Sequence, residues 1–75
     1  MSGLALGYYR HYKGQHYQVL GVGQHSETRE VLVFYRALYG DFGMWARPLE
    51  MFCEEVEVKG QQVPRFKLVK VAEIS

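Results

Sequence analysis

Glycine cuts this chain into pieces of strand length. Gly7, Gly14, Gly21, Gly23, Gly40, Gly43 and Gly60 punctuate it, and prolines stand only at Pro48 and Pro64. No stretch of about 12 residues or more carries a clean apolar stripe of helical period. The pieces between glycines are rich in Val, Tyr and Phe, and short apolar runs of that kind bounded by turn residues form strands. A mainly antiparallel, all-β fold is expected. With 75 residues, 48% of them hydrophobic and 23% charged, the chain is too apolar to stay disordered and long enough for one small domain over 1–75. Its single cysteine, Cys53, rules out an internal disulfide and a multi-cysteine zinc site, which fits a reducing cytoplasm. No run of about 18 apolar residues exists to span a membrane, and Leu4-Ala5-Leu6 is too short for a signal-peptide core. A cytoplasmic protein with no membrane partner is expected.

A first strand is expected over Tyr8–Lys13 and a second over His16–Gln24. Gly14-Gln15 at the centre of a two-residue turn, glycine first as type II′ requires, sets Tyr12 opposite Tyr17 and His11 opposite Gln18. Tyr17 and Val19 alternate with Leu20 and Val22, so both faces of the second strand read as apolar, and Gly21 and Gly23 point to a bulge. After the polar turn His25–Arg29, a third strand is expected over Glu30–Tyr39. Val31, Val33, Tyr35 and Ala37 alternate there with Leu32, Phe34, Arg36 and Leu38, and apolarity on nearly both faces marks a central strand.

The turn Gly40-Asp41-Phe42-Gly43 leads to a short strand at Met44–Arg47. Pro48 suits the first position of a helical turn, Pro48–Phe52, in which Leu49 and Phe52 face one core. Lys59–Gln62 is expected to be a hairpin turn, returning through Val63 to Phe66. The tail, 67–75, reads two ways. Leu68, Val71 and Ile74 are spaced by three as on a helix, while Phe66, Leu68, Ala72 and Ile74 share the parity of a strand; β-branched Val69, Val71 and Ile74 favour the strand. Val19, Val33, Tyr35, Trp45, Leu49 and Phe52 make up the expected core of a small SH3-like or Tudor-like barrel of five to six short strands.

Several blocks stand together in a specific order: Tyr9-Arg10-His11-Tyr12-Lys13-Gly14, Tyr17-Gln18-Val19-Leu20-Gly21-Val22, His25-Ser26-Glu27-Thr28, Tyr35-Arg36-Ala37-Leu38-Tyr39-Gly40 and Trp45-Ala46-Arg47-Pro48-Leu49-Glu50-Met51-Phe52. They resemble the bacterial family catalogued as domain of unknown function 1653. The likeness covers about residues 8–66 and leaves 67–75 as an extra C-terminal segment. That family has no assigned activity, so the resemblance implies a self-contained bacterial cytoplasmic domain and carries over no catalytic residue.

Each chemistry-bearing group has a structural alternative. Along the first strand Arg10 falls beside Tyr8 and Tyr12, rings that stack on bases or side chains next to a cation that neutralises phosphate or carboxylate. The structural alternative is an edge hairpin kept soluble by Arg10 and Lys13. Arg36 and Arg47, on neighbouring strands beside Trp45 and Tyr35, make an anion and ring receptor unless each pairs with a local acid. His25-Ser26-Glu27 are too close in sequence to form a triad, and Ser26 and Thr28 are expected to bond the turn backbone. His11, His16 and His25 lack metal-ligand spacing, no phosphate loop is present, and no metal or cofactor is implied. Cys53 is expected to be a small buried residue.

The formal net charge of +1 sets up no strong global field, so any attraction for nucleic acid must be local. Residues 1–47 hold five Lys and Arg against three acids, whereas Glu50, Glu54, Glu55 and Glu57 cluster beyond. The leading function is a noncatalytic binding module whose groove, bordered by Arg10, Tyr12, Lys13, Arg36, Trp45 and Arg47, takes an anionic or peptide-like ligand, nucleic acid or protein. Two alternatives stay open: a small enzyme or enzyme accessory using His11, His25, Asp41 or Glu50 in acid-base chemistry, and a homodimeric structural protein joined through the third strand or the tail.

Overall fold

The computed structural model describes residues 4–72. Its elements are β1 (Gly7–His11), β2 (His16–Gln24), β3 (Val31–Ala37), β4 (Met44–Pro48), α1 (Leu49–Phe52), β5 (Glu55–Val58), β6 (Gln61–Pro64) and β7 (Phe66–Val71). Five strands form one antiparallel sheet in the order β4-β3-β2-β1-β7, and β5 and β6 form a separate hairpin. The architecture is therefore mainly antiparallel β with one short helix, as the glycine spacing requires. A closed barrel is not formed by the ladder: among the described residues β4 and β7 end the sheet without pairing to each other.

The first hairpin corrects the expected register. Strand β1 stops at His11, and the loop is Tyr12-Lys13-Gly14, closed by bonds of 2.7 Å from His11 N–H to the Gln15 carbonyl and from Gly14 N–H to the His11 carbonyl. Gly14, at φ +106°, ends this three-residue loop instead of opening a two-residue turn. Tyr9 consequently lies opposite Tyr17 and Arg10 opposite His16. A glycine suits either closure, so the loop length was not determined by Gly14 alone. The later hairpin turns at Lys59-Gly60, both with positive φ (51° and 82°), the requirement of a type I′ turn.

Two single-residue bulges explain the strands whose parity was ambiguous. In β2, Val19 faces Tyr35 and Gly21 faces Phe34, leaving Leu20 as the extra residue. Tyr17, Val19 and Val22 thus all point inward, opposite buried Ala37, Tyr35 and Val33. In β7, Leu68 faces Tyr9 and Lys70 faces Tyr8, leaving Val69 extra. The three-residue spacing of Leu68 and Val71 is therefore that of a bulged strand and not of a helix. Residues 67–71 are integral to the sheet, while Ile74 and the rest of 73–75 lie outside the described residues. The chains of β1 and β7 approach closely at Gly7: at φ +150°, a Cβ there would collide with the Lys70 carbonyl oxygen and stand 2.7 Å from the Ala72 nitrogen.

The core is an aromatic cluster on the inner face. Phe52 stacks on Phe66 at 4.2 Å and meets Tyr9 and Tyr35 edge-on at 5.4 and 5.5 Å. Val19, Val33 and Ala37 complete the buried set, with Leu49 partly buried against it. Tyr9 reaches out of the cluster to donate a 2.6 Å bond to the Ala5 carbonyl. Of the expected core, Trp45 is the correction. Its position opposite Tyr35 is inward by register, yet it stands on β4, the strand that ends the sheet, and is 60% exposed. Cys53, at the C-cap of α1, is also exposed rather than buried. No helix of the described residues is long and apolar enough to cross a membrane.

Candidate functional site

Strand alternation sorts the six groove candidates. In β1, Gly7 and Tyr9 are buried, so Arg10 projects from the outer face, and the register sets Lys67 directly opposite it on β7 and His16 opposite it on β2. Arg36 is outward as well, opposite Gln18 and Met44. Trp45 and Arg47 share the parity of inward Tyr35 and Val33. Tyr12 and Lys13 sit at the tip of the first hairpin, with Lys13 Nζ 5.8 Å from the centre of the Tyr12 ring. The six therefore do not border one groove: Arg10 and Arg36 lie on the outer face, Trp45 and Arg47 on the inner, and Tyr12 and Lys13 on the loop between β1 and β2.

Arg10 and Tyr12 do come together, in a hollow of about 280 Å³. Arg10, Tyr12 and Lys67 form one wall and Val58, Val63 and Pro64 of the β5–β6 hairpin the other. Because Val56 and Val58 alternate with Glu55 and Glu57 along β5, the hairpin turns its valines to the hollow and its carboxylates away. His11 also borders this space, its ring 4.6 Å from Tyr12 and 4.9 Å from Phe66. Burial, followed by the positive fields of Arg65, Arg47 and Lys13, holds this imidazole below its ordinary pKa of 6.5.

A smaller hollow of about 210 Å³ lies on the inner face among Tyr17, Tyr35, Tyr39, Trp45 and Arg47. Arg47 is partly committed to structure there. Its Nε donates to the Tyr35 hydroxyl at 3.2 Å, and its guanidinium covers the Phe66 ring at 5.8 Å. The Tyr17 and Tyr39 hydroxyls share a 2.7 Å bond, and burial together with that bond pushes the Tyr17 phenol up to about 12.

Charge in the five-stranded sheet is one-sided. Its strands carry Arg10, Arg36, Arg47, Lys67 and Lys70 and no aspartate or glutamate. The one ion pair among the described residues, Arg65 to Glu54 at 2.9 Å, lies outside these strands and joins the end of α1 to the start of β7. Like charges directly opposite on neighbouring strands destabilise a sheet, so the Arg10–Lys67 pair is a cost that the fold bears without a compensating acid.

Two of the residues considered for acid-base or metal chemistry, His11 and His25, hold turns instead. His25 Nδ1 accepts the amides of Glu27 and Thr28 at 3.1 and 3.3 Å, and Thr28 Oγ1 accepts that of Glu30 at 3.2 Å. His11 Nδ1 accepts the Lys13 amide at 3.2 Å. Among the described residues no three His, Cys, Asp or Glu side chains converge on a metal position. Lys67, Val58, Val63 and Pro64 line the hollow but are not among the residues singled out from the sequence; a tail that reads as helix or strand gives Lys67 no face, and nothing in the sequence docks the β5–β6 hairpin beside β1.

Comparison with known proteins adds the lineage. No curated protein matches the chain. A crystal structure of a protein of the DUF1653 family from Bordetella bronchiseptica is 39% identical, covering 97% of this chain and 96% of that one, with a TM-score of 0.85. The profile described as "Protein of unknown function (DUF1653)" matches residues 7–68, from the glycine at the β1–β7 contact to the middle of β7. With the profile spanning most of the sequence and a relative of the same fold over nearly all of it, the chain belongs to the DUF1653 family.

Proposed function

We propose that this domain is a noncatalytic, cytoplasmic binding module, an SH3-like or Tudor-like half-barrel whose anion site is the hollow between β1, β7 and the β5–β6 hairpin. The observation that carries the reading is Arg10 directly opposite Lys67 in a sheet that contains no carboxylate. Two cations facing each other across one strand spacing hold a phosphate or carboxylate between them, and the ligand's charge relieves their repulsion. Tyr12 and the apolar wall of Val58, Val63 and Pro64 take whatever ring or chain carries the anion. The enzyme alternative is weakened by the engagement of His11 and His25 in turn hydrogen bonds. Nuclear magnetic resonance titration with inorganic pyrophosphate tests the reading. Saturable shifts centred on Arg10, Tyr12 and Lys67, lost in Arg10→Ala, support it; no shift, or shifts unchanged in that variant, reject it.

Exposed apolar side chains on the two edge strands favour a second reading, self-association by edge pairing. They are Met44 and Trp45 on β4 and Val69 and Val71 on β7, each more than half exposed. Of the two interfaces considered, β3 is flanked on both sides, so the tail strand is the one whose edge is open. Sedimentation at high concentration decides it: a dimer supports this reading, and a monomer throughout rejects it.

A further inference from the structure

The anion hollow is one end of a longer surface. Tyr8 and Arg10 share the outer face of β1, and Arg10 and the loop residue Tyr12 line one hollow, so a ring, a guanidinium and a second ring follow one another, with both rings 37% exposed. The bulge at Val69 turns Lys70 onto the same outer face, directly opposite Tyr8, while Lys67 stays opposite Arg10. Across the sheet from Lys70 come Tyr8, Gln18 and Arg36 in one hydrogen-bonded row, so cations flank Tyr8 over about 14 Å. All of the acids in the described residues lie off this sheet: Glu27 and Glu30 beside the β2–β3 turn, Asp41 in the β3–β4 turn, Glu50 on α1, and Glu54, Glu55 and Glu57 at β5.

We infer that the outer face of the sheet binds single-stranded nucleic acid, with bases stacking on Tyr8 and Tyr12 and phosphates held by Arg10, Lys67, Lys70 and Arg36. This rests on the proposed anion hollow and extends it. Charge complementarity selects a polyanion, since a single acidic side chain satisfies one of the four cations and leaves three unpaired. The rings select the single strand. A duplex keeps its base faces stacked inside, whereas unpaired bases are free to stack on exposed aromatic side chains, and any base offers a face. The bulge in β7 is what makes the surface continuous, because without it Lys70 would point into the core side.

Fluorescence anisotropy with labelled oligouridylate and oligothymidylate of about 10 nucleotides tests the inference, and the two arms separate RNA from DNA. Binding is expected to weaken with salt, with a logarithmic slope of about −3 for four phosphates neutralised, falling by about 1.4 in the Arg36→Ala, Lys70→Ala double variant. Tyr8→Ala should weaken binding about 5- to 150-fold, and Tyr8→Phe should restore it. Equal binding by the double variant and the parent, or equal binding of duplex DNA or an acidic peptide, overturns the inference. If neither oligonucleotide binds while pyrophosphate still shifts Arg10 and Lys67, the inference falls and the hollow stands; if pyrophosphate fails too, both fall.

Discussion

Removing the Phe52 ring should come close to unfolding this protein. Phe52 is 1% exposed and touches three other rings: Phe66 by stacking, Tyr9 and Tyr35 by their edges. Truncating a buried phenylalanine to alanine costs about 3–5 kcal/mol, and loss of three aromatic contacts places this site at the upper end. A chain of 75 residues has about 4–11 kcal/mol in total at the usual stability per residue. Phe52→Ala therefore removes at least about a quarter of the stability and at most all of it, a fall of at least about 12 °C in Tm. Urea and thermal unfolding followed by far-ultraviolet circular dichroism measure it; fluorescence of the exposed Trp45 would report poorly. Trp45→Ala is the matched control and should cost no more than about 1 kcal/mol, since its ring is mostly in water already. If Phe52→Ala melts like the parent while Trp45→Ala unfolds, the assignment of the core is wrong.

Gly7→Ala should be strongly destabilising, because the added Cβ meets the β7 backbone at Lys70 and Ala72, whereas Gly21→Ala meets nothing and should cost little; paired thermal melts compare them. Acidification should weaken the fold through His11, whose imidazole stays neutral when the unfolded chain has already taken up a proton. That contribution is full above about pH 6.5 and is lost as pH falls from there through the folded pKa, so urea midpoints should decline over that window and flatten in His11→Gln; a parent that gains stability on acidification there contradicts the assignment. Tyr39→Phe should lower the alkaline titration of Tyr17 from about 12, read by tyrosinate absorbance, because the hydroxyl bond between the two is then lost.

Patterning was readable where one residue type had one structural meaning. Val33 and Tyr35 alternate cleanly and are buried, and Pro48 followed by Leu49 and Phe52 at i and i+3 is a helical turn. Readings failed where two structures share one signal. Gly14 serves a two-residue or a three-residue loop equally, so the register of the first hairpin slipped and the pairing of Tyr17 with Tyr9 was missed. A strand bulge and a helix both bring residues three apart onto one face, which hid Lys67 and Lys70. A small chain has few large side chains, which favours Trp45 in the core, yet on the strand that ends the sheet even an inward indole is exposed. Alternation separates Arg10 and Arg36 from Trp45 and Arg47, and that separation depends on a register that the sequence leaves open.

The thermal melt of Lys67→Glu, with and without pyrophosphate, tests the central claim most directly. If Lys67 faces Arg10 for the sake of an anion, reversing its charge turns a repulsive cross-strand pair into an attractive one. The variant should melt above the parent by a few degrees, about 4–8 °C for each kcal/mol gained, and should no longer be stabilised by pyrophosphate, which raises the Tm of the parent. A variant that melts at or below the parent, or that still responds to pyrophosphate, contradicts the account.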